Sequence, residues 1–268
     1  MSEKKAIEKS KKPITKKSII NDLKSGGLKE GMTVIVHSSL SSIGWVCGGA
    51  VALIEALMEV IGYEGNLIMP AHSGDYSDPK YWVNPPVPKD WHEIIRNEMP
   101  AYKAEITPTR GIGQVPEVFR KFPEVERSDH PCLSFACWGK DSTQIVSDHK
   151  LDYAMGKESP LYDIYKLEGE VLLIGVDHES NTSLHLAEYM AEYEKEVKTF
   201  GSPIEKNGES VWAEYKDIEF ETEDFNEVAQ AYEKNGDLKI FKLGKAEAKL
   251  IPQKKLVDFA VSWFEKNR

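Results

Sequence analysis

The spacing of apolar residues predicts a strand, a helix and a second strand in the first third of the chain. Thr33–His37 and Asn66–Met69 are short, nearly continuous apolar runs, and Pro70 ends the second one. Between these runs, apolar residues recur at positions 50, 53, 54, 57, 58 and 61, which is helical spacing over Ala50–Ile61. Because a strand, a helix and a strand in this order form a βαβ unit, part of the sheet should be parallel.

The rest of the chain continues as short strands and helices, and its pattern changes after residue 197. Core strands are predicted at Ser134–Trp138 and Glu170–Val176, and a helix at Thr182–Glu192 with Asn181 suited to its N-cap. Asn207-Gly208 is typical of a hairpin turn. The other predicted elements are strands near Lys198–Ile204 and Val211–Tyr215, a helix near residues 224–234, a hairpin around Leu243–Gly244 and a C-terminal helix from about residue 253.

The predicted fold class is α/β: a single domain with a mixed, partly parallel central sheet flanked by helices and a C-terminal antiparallel extension. No linker-like composition divides residues 18–268, so we interpret them as one domain. Residues 1–17 contain seven Lys and two Glu and are interpreted as a disordered basic tail. Residues 71–113 form the longest irregular stretch, with six Pro, and loops of this length are often functional.

The balance of charge favours a cationic small-molecule partner. The 268 residues carry a formal net charge of −10, and residues 18–268 alone carry −15. An acidic body of this kind argues against nucleic acid as the partner and favours a cationic substrate. An acidic surface is also ordinary in soluble proteins, and that alternative stays open.

The apolar runs and the cysteines predict a cytoplasmic protein without a membrane anchor. No apolar run approaches the ~20 residues of a membrane-spanning helix, and no apolar segment follows the N-terminal lysines as in a secretory signal. Cys47, Cys132 and Cys137 form no C-x-x-C pair and are expected to be reduced thiols.

The first candidate site is the connection between the first strand and the first helix, residues 36–50. Its sequence, VHSSLSSIGWVCGGA, supplies four Ser and three Gly, and the helix that follows adds its positive dipole end. Such a loop binds phosphate or another anion well. It contains neither a Walker loop nor a G-x-G-x-x-G pattern, so a plain strand-to-helix connection remains an alternative.

The second candidate site is residues 107–120, where small residues, a hydroxyl and a cation precede a short helical pattern. Thr109, Arg110, Gly111 and Gly113 could surround an anion at the start of that helix. The Arg110 guanidinium could hold a phosphate through two hydrogen bonds. A solvated turn with one surface Arg is the alternative.

The third candidate site is residues 175–188. His185 and Glu188 stand at i and i+3 and therefore share one face of the predicted helix. A carboxylate beside an imidazole orients the ring and raises its basicity, which is the arrangement of a general base. A His–Glu pair on the helix surface is the alternative.

A metal or a serine nucleophile finds less support in the sequence. The residues that could supply metal ligands are Asp177, His178, His185 and Glu188. Both His-Glu-x-x-His and His-x-x-Glu-His are absent, and no cysteine pair supports zinc. Ser38 and Ser39 lack the Gly-x-Ser-x-Gly pattern of a nucleophile elbow. We therefore expect no metal and no acyl-enzyme.

Taken together and in this order, the three constellations resemble the aminoglycoside 3-N-acetyltransferase family, which has the antibiotic N-acetyltransferase fold and not the GNAT fold. The resemblance covers most of residues 17–268. Its pieces are His37-Ser38-Ser39-Leu40 with Gly44 and Gly48-Gly49, Thr109-Arg110-Gly111, Arg127-Ser128-Asp129-His130-Pro131 with Ser134-Phe135-Ala136, Ser159-Pro160-Leu161, and Asn181-Thr182 with His185 and Glu188.

The resemblance implies transfer of an acetyl group from acetyl-CoA to the 3-amino group of a 2-deoxystreptamine aminoglycoside, by direct attack in a ternary complex. His185 would be the general base, and Glu188 would orient it. The residues that the resemblance places at coenzyme A are His37, Ser38, Ser39, Leu40, Ser41, Thr109, Arg110, Gly111, Gly113 and Val115. Donors in the same two loops could stabilise the oxyanion, and His130 is expected to be structural or to line the coenzyme cleft.

The acceptor, a cationic amine, would lie near Asp177, Asn181 and the loop of residues 71–105, where Asp75 is a candidate contact. That loop contains acidic and aromatic side chains, which suit a polyamino sugar; an ordinary polar loop is the alternative. Resistance members of the family often have a basic residue where this chain has Ser41. This departure weakens one expected phosphate contact, and it leaves open a chromosomal relative with a natural acceptor other than an aminoglycoside.

Three other hypotheses stay open at this point. The acceptor could be a different primary amine or amino sugar. The protein could bind coenzyme A without catalysis, although an intact His185–Glu188 pair argues against this. A metal-dependent hydrolase is the third. The late hairpins also offer a surface for a homodimer.

Overall fold

The structure, a computed structural model, describes Ile7 and residues 12–268. Within this part of the chain, a seven-stranded sheet forms the centre and a two-stranded hairpin forms a second sheet. The strands are β1 (Thr33–Ser38), β2 (Asn66–Pro70), β3 (Glu126–Arg127), β4 (Phe135–Gly139), β5 (Glu170–Ile174), β6 (Val197–Lys206), β7 (Glu209–Ile218), β8 (Lys239–Leu243) and β9 (Ala246–Pro252). The α-helices are α1 (Lys16–Ser25), α2 (Leu40–Ile43), α3 (Gly49–Ile61), α4 (His92–Glu98), α5 (Gln114–Phe119), α6 (Ser142–Ser147), α7 (Pro160–Lys166), α8 (Ser183–Met190), α9 (Phe225–Glu233) and α10 (Gln253–Asn267).

The central sheet is mixed, and its parallel part includes the predicted βαβ unit. The strand order is β3-β4-β2-β1-β5-β9-β8, in which β1 is parallel to β2 and to β5 and the other pairs are antiparallel. The segment between β1 and β2 contains α3, as the apolar spacing predicts. Helices cover both faces of these strands, so the strand sequences are continuous apolar runs and do not alternate between apolar and polar residues. The predicted α/β class, partly parallel sheet and antiparallel extension are confirmed.

The two faces of the sheet bury two separate cores. Alternate side chains of β1 point to opposite faces, so Val34 and Val36 enter one core and Ile35 enters the other. The first core is completed by α1, α3 and α5, and the second by helices from the second half of the chain. Full burial of each large apolar side chain stabilises the fold by about 1.5–3 kcal/mol. The carboxyl ends of β1, β2 and β5 are therefore held on a rigid scaffold.

The β6–β7 hairpin lies against the long segment of residues 71–113. Asn207 and Gly208 have φ angles of 55° and 82°, as the two central residues of the predicted turn require. The hydroxyl of Tyr81 donates to the carbonyl of Thr199 at 3.1 Å, and its ring packs on Phe200 with centroids 5.1 Å apart. These contacts fix the long segment along the hairpin.

Several predicted boundaries need correction. The helix predicted at Thr182–Glu192 covers Ser183–Met190, with Thr182 at its N-cap, although the Asn181 side chain still accepts the Ser183 N–H at 3.2 Å. Residues 71–113 are not wholly irregular, because they contain α4 and three short 3₁₀ turns. The connection at residues 36–50 contains the short helix α2.

The folded part of the chain begins before residue 18, so the predicted boundary of the basic tail is wrong. Helix α1 starts at Lys16 and is capped by reciprocal hydrogen bonds between Thr15 and Ser18. Ile14 forms a bridge with Val46 and is 9% exposed. Most of the predicted tail, residues 1–6 and 8–11, lies outside the described residues.

The sequence also predicts that no segment spans a membrane and that the late hairpins form a homodimer surface. In the part of the chain that the structure describes, no helix combines the length and apolar character needed to span a bilayer. The homodimer expected at the late hairpins stays a prediction.

Candidate active site

A cavity of about 1090 Å³ opens at the carboxyl ends of β1 and β2. His37 and Ser38 at the end of β1, and Pro70 at the end of β2, form its floor. Ligands of open α/β sheets bind at this edge, where the strand connections leave a crevice. Since single ligand sites are usually ~300–1,000 Å³, the cavity is large for a ligand site.

One wall of the cavity is formed by the first residues of three helices. Leu40 and Ser41 begin α2, Gly49 begins α3, and Gly113 and Gln114 begin α5. The first N–H groups of a helix have no partner within the helix, and they carry its positive dipole end. A Cβ added at Gly49 or Gly113 would meet no atom within 4 Å, so the backbone there is open to a ligand. This wall suits the phosphates of a nucleotide-like donor.

The predicted coenzyme residues divide into two groups. His37, Ser38, Ser39, Leu40, Ser41, Gly111, Gly113 and Val115 line the cavity. Thr109 and Arg110 do not: the Thr109 N–H and hydroxyl donate to Glu117 at 2.9 and 2.8 Å, and Arg110 is paired with Asp75 at the surface. Burial opposes ionisation of Glu117, but hydrogen bonds from Arg120, Lys121 and Thr109 hold its pKa well below the usual range. Thr109 therefore fixes the turn that carries the two glycines.

The second wall carries the predicted His185–Glu188 pair. Nδ1 of His185 lies 2.5 Å from Oε2 of Glu188, whose side chain is fully buried. The imidazole packs against the rings of Phe220 and Phe225, with centroid distances of 4.5 and 4.9 Å. Because Nδ1–H donates to the carboxylate, the other ring nitrogen, Nε2, is left with its lone pair. His185 lines the cavity, so this pair is not a helix-surface ion pair.

The Glu188 carboxylate has further partners behind the histidine. Its Oε1 accepts from Nη1 of Arg268 at 2.7 Å and from the backbone N–H of Glu221 at 3.1 Å. Both carboxylate oxygens are therefore occupied, and neither is exposed to the cavity. The local sequence gave no sign of Arg268, because it lies 80 residues away from Glu188.

Two more imidazoles, His37 and His72, line the cavity. Burial lowers the pKa of each to about 3, so both rings are neutral at neutral pH. Nε2 of His37 lies 3.4 Å from the hydroxyl of Thr182, and Nε2 of His72 is buried with no hydrogen-bond partner among the described residues. His72 was not singled out from sequence, because it stands alone in the long loop.

The three predicted acceptor contacts lie outside the cavity lining. Asp75 pairs with Arg110, and the Asp177 carboxylate accepts the N–H of Glu179 at 3.2 Å. Asn181 is fully buried and contacts Nδ1 of His178 at 3.3 Å. Among the described residues, Glu179 is the carboxylate that lines the cavity. It lies between Asp177 and Asn181 in the same motif, so the motif locates the right segment but not the right side chain.

The remaining candidate groups have structural partners. Nε2 of His178 lies 3.0 Å from Glu233, and Nδ1 of His130 accepts the N–H of Leu133 at 3.0 Å. Burial raises the pKa of Cys132 to about 12 and that of Cys137 well above its ordinary value. Within the described part of the chain, no three His, Cys, Asp or Glu side chains are grouped as metal ligands would be.

A large cavity at the edge of an α/β sheet, with an anion-binding wall facing a His–Glu pair, defines the class as a group-transfer enzyme. Residues 35–265 match the family model described as aminoglycoside 3-N-acetyltransferase. The chain belongs to this family, whose members are acyltransferases. The resemblance seen in the sequence is confirmed.

Individual relatives agree with this assignment. The chain is 51% identical over 265 residues to the SPbeta prophage-derived aminoglycoside N(3')-acetyltransferase-like protein YokD of Bacillus subtilis (strain 168), covering 98% of this chain and 97% of the relative. The YokD crystal structure superposes with a TM-score of 0.96 and covers 98% of both chains. The aminoglycoside acetyltransferase AAC(3)-Xa has a TM-score of 0.91 and 32% identity, covering 98% of this chain and 97% of that chain. AAC-IIIb, solved as a binary complex with CoASH, has a TM-score of 0.86 and 26% identity, covering 95% and 97%.

Proposed function

We propose that the protein transfers an acetyl group from acetyl-CoA to the 3-amino group of a 2-deoxystreptamine aminoglycoside. The observation that carries this proposal is the His185–Glu188 pair, which faces a wall of helix N-termini across one cavity. Transfer of an acyl group from a phosphate-bearing donor to an amine requires an anion-binding surface for the donor. It also requires a base beside the amine, within the same cavity. The family membership and the CoASH complex of AAC-IIIb support the same chemistry.

The donor would lie along the wall of helix starts. Its pyrophosphate would contact the open backbone at residues 39–41 and 111–115. Among the described lining residues there is no Lys or Arg, so the phosphates would be bound by N–H groups, hydroxyls and helix dipoles. The thioester would then point toward His185.

The acceptor would occupy the side of the cavity next to His185 and Glu179. Nδ2 of Asn226 donates to the Glu179 carboxylate at 3.1 Å and orients it. A carboxylate at the cavity surface would bind an ammonium group of a polyamino sugar, and the net charge of −10 attracts a polycation to the protein.

Catalysis would proceed by direct attack. The neutral amine nitrogen attacks the thioester carbonyl while its N–H proton passes to Nε2 of His185. The carbon–sulfur bond then breaks, and the leaving thiolate of coenzyme A accepts this proton from Nε2 of His185. The glycine turn at residues 111–113 lines the cavity, and its backbone N–H groups could bind the oxyanion. Neutral His37 and His72 would add no competing positive charge.

The first experiment is a thiol-release assay with acetyl-CoA and a panel of amines. Fast turnover with 2-deoxystreptamine aminoglycosides, and acetylation at the 3-amino group by NMR, would support the proposal. Coenzyme A binding by calorimetry without turnover on any aminoglycoside would contradict the proposed acceptor. Absence of coenzyme A binding would contradict the donor as well.

The small number of acidic side chains that line the cavity favours a second class of acceptor, amines with fewer ammonium groups. Glu179 is the one acidic residue among the described lining residues, whereas an aminoglycoside carries several ammonium groups. A smaller primary amine or amino sugar with one cationic group matches a single carboxylate better. The same assay separates the two classes if monoamine sugars are included in the panel.

A further inference from the structure

The guanidinium of Arg268 is buried behind the proposed base, and all five of its N–H donors have acceptors. Nε and Nη2 bind the Asp224 carboxylate at 2.8 and 2.5 Å, and Nη2 also binds the Glu221 carbonyl at 2.7 Å. Nη1 binds Oε1 of Glu188 at 2.7 Å and the Tyr193 hydroxyl at 2.9 Å. A side chain with this many bonds has one position only.

The packing around the guanidinium removes what freedom remains. Its side chain is 7% exposed, and its central carbon lies 3.9 Å from the centre of the Phe264 ring. Phe264 is a fully buried core residue of α10. The cation is therefore fixed relative to the core and not only relative to its carboxylate partners.

The two oxygens of Glu188 have separate tasks. Oε1 accepts from Arg268 and from the Glu221 N–H, and among the described residues Oε2 accepts from His185 alone. A fully buried carboxylate without a cation would favour its protonated form. The Arg268 guanidinium supplies that cation at Oε1, and Oε2 accepts the hydrogen bond from His185. Nδ1 of His185 must then be the donor, and the lone pair stays on Nε2.

We propose that Arg268 is a positioning residue for the transfer reaction, which holds the Glu188 carboxylate in place so that His185 keeps Nε2 toward the substrates. The inference rests on the proposed function, because it assigns a role toward His185 as the base. Arg268 also adds a positive charge behind the pair. Without it, the His185–Glu188 pair would bind a proton more tightly and would be free to act only at higher pH.

The other titratable and charged groups near the pair remain in place when Arg268 is replaced. They are His37 and His72 across the cavity, Tyr189 on α8, Tyr193 and Lys195 after it, Asp217 in β7, and Glu221 and Asp224 in the segment before α9. Among these, Lys195 is the nearby cation, and it donates to the carbonyl of Ala191 and not to Glu188. It does not replace Arg268.

The test is the pH dependence of kcat/KM for Arg268→Gln and Arg268→Lys between pH 5 and 9. The acid limb of this profile is its low-pH side, where kcat/KM falls as the base takes up a proton. For Arg268→Gln we expect this limb to move to higher pH by about one unit, because a neighbouring unit charge commonly shifts a pKa by 1 unit or more. Its kcat at neutral pH should fall about tenfold, recover partly at high pH, and leave both KM values within about twofold. Arg268→Lys keeps the charge, so its limb should stay in place while kcat falls through lost geometry.

Two controls keep the test decisive. Arg96→Gln removes a guanidinium that pairs with Asp78 away from the cavity, and its acid limb should not move. Asp224→Asn removes a negative charge behind Arg268, so its limb should move to lower pH, which tests the inference even if Arg268→Gln does not fold. A folded Arg268→Gln with an unmoved acid limb, or an Asp224→Asn limb that moves upward, would overturn the inference.

A binding-independent readout separates this inference from the proposed function. Titration of the His185 ring by ¹⁵N NMR, in the wild type and in Arg268→Gln, needs no substrate. A higher midpoint in the variant supports the role of Arg268 even if no amine is turned over. Equal midpoints contradict it even if the enzyme proves to be an aminoglycoside acetyltransferase.

Discussion

A single ring nitrogen, Nε2 of His185, carries the proposed proton transfer, because Nδ1 is held by Glu188 at 2.5 Å. His185→Ala removes this nitrogen and leaves the wall of helix starts intact. General bases typically contribute 10²- to 10⁴-fold, so kcat should fall at least about a hundredfold with little change in coenzyme A binding. Steady-state kinetics and calorimetry measure the two effects. The control is His92→Ala, which alters a histidine outside the cavity lining and should leave kcat unchanged.

Glu188→Gln should reduce kcat less than His185→Ala does, because the imidazole remains. If Glu188→Gln costs more than His185→Ala, Glu188 has a more direct role than orientation. If kcat of His185→Ala equals that of the wild type, His185 has no part in the mechanism.

Ser41 occupies the start of α2 and lines the cavity, where the resemblance leads us to expect a basic residue. Ser41→Lys would place a full positive charge beside the proposed phosphates, and one charged hydrogen bond is worth about 1.5–3 kcal/mol before desolvation and ordering. We expect KM for acetyl-CoA to fall about three- to tenfold at low salt, and less at high salt. Ser147→Lys makes the same charge change on the exposed end of α6 and should not alter KM. An unchanged KM in Ser41→Lys would place the phosphates elsewhere.

At the scale of elements, burial decides what could be predicted. β1, α3 and β5 are lined by fully buried side chains, so their patterns were visible and their bounds differ from prediction by at most two residues. Helix α4 buries none of its side chains and therefore has no apolar periodicity to detect. The antiparallel direction of β4 depends on its pairing with β2, which no local pattern encodes.

The predicted site residues lie close together in the sequence, whereas the missed ones do not. His185 and Glu188 are visible as an i, i+3 pair on one helix. Phe220 and Arg268 reach the same histidine and carboxylate from positions 35 and 80 residues further along the chain. Their contacts exist only after the hairpin and α10 have packed, so sequence spacing alone could not reveal them.

The long loop depends on Arg127, a residue of β3 whose guanidinium is buried. It donates to the carbonyls of Ala71 at 2.5 Å, Ala104 at 3.1 Å and Thr107 at 2.6 Å, and to the hydroxyls of Ser73 at 2.8 Å and Ser134 at 3.0 Å. Burial lowers the pKa of this guanidinium. Arg127 thus fixes both ends of the segment that carries His72 and the glycine turn.

Arg127→Lys should destabilise the protein by about 2–4 kcal/mol, because one ammonium cannot reach acceptors this far apart and each buried acceptor left unpaired costs about 1–3 kcal/mol. Urea unfolding measures the loss as a lower midpoint. Arg110→Lys is the control, since Arg110 and its partner Asp75 lie at the surface, where an ion pair contributes little to stability. Equal midpoints for the two variants would contradict the role of Arg127.

At the scale of the whole molecule, buried neutral histidines set the response to acid. Burial lowers the pKa of His37 and His72 to about 3 and of His130 to about 4, and it also lowers the pKa of His149 and His178. The unfolded chain binds protons at these rings below about pH 6.5, whereas the folded chain does not. The contribution of these neutral rings to the free energy of unfolding is therefore fully present above pH 6.5. It is lost as the pH falls toward the pKa values of the rings in the folded chain.

Between pH 6.5 and pH 5.5 each such histidine should cost about 1 kcal/mol of unfolding free energy, a few kcal/mol in total. Urea midpoints at pH 7.5, 6.5 and 5.5, at constant ionic strength, measure this decline. Proton uptake on unfolding at pH 5.5 gives an independent count of the rings involved. A free energy of unfolding that stays constant over this range would show that these rings are not buried in neutral form.

The separation of the β6–β7 hairpin from the main sheet has a consequence for how such enzymes diversify. Phe220, which contacts His185, follows the hairpin directly, while the wall of helix starts belongs to the connections of the main sheet. No backbone ladder joins the two sheets in the described chain, so substitutions or insertions in the hairpin leave the register of the main sheet undisturbed. A mutational library confined to the hairpin and its flanks should therefore alter the specificity for the acceptor and leave binding of the acetyl donor unchanged.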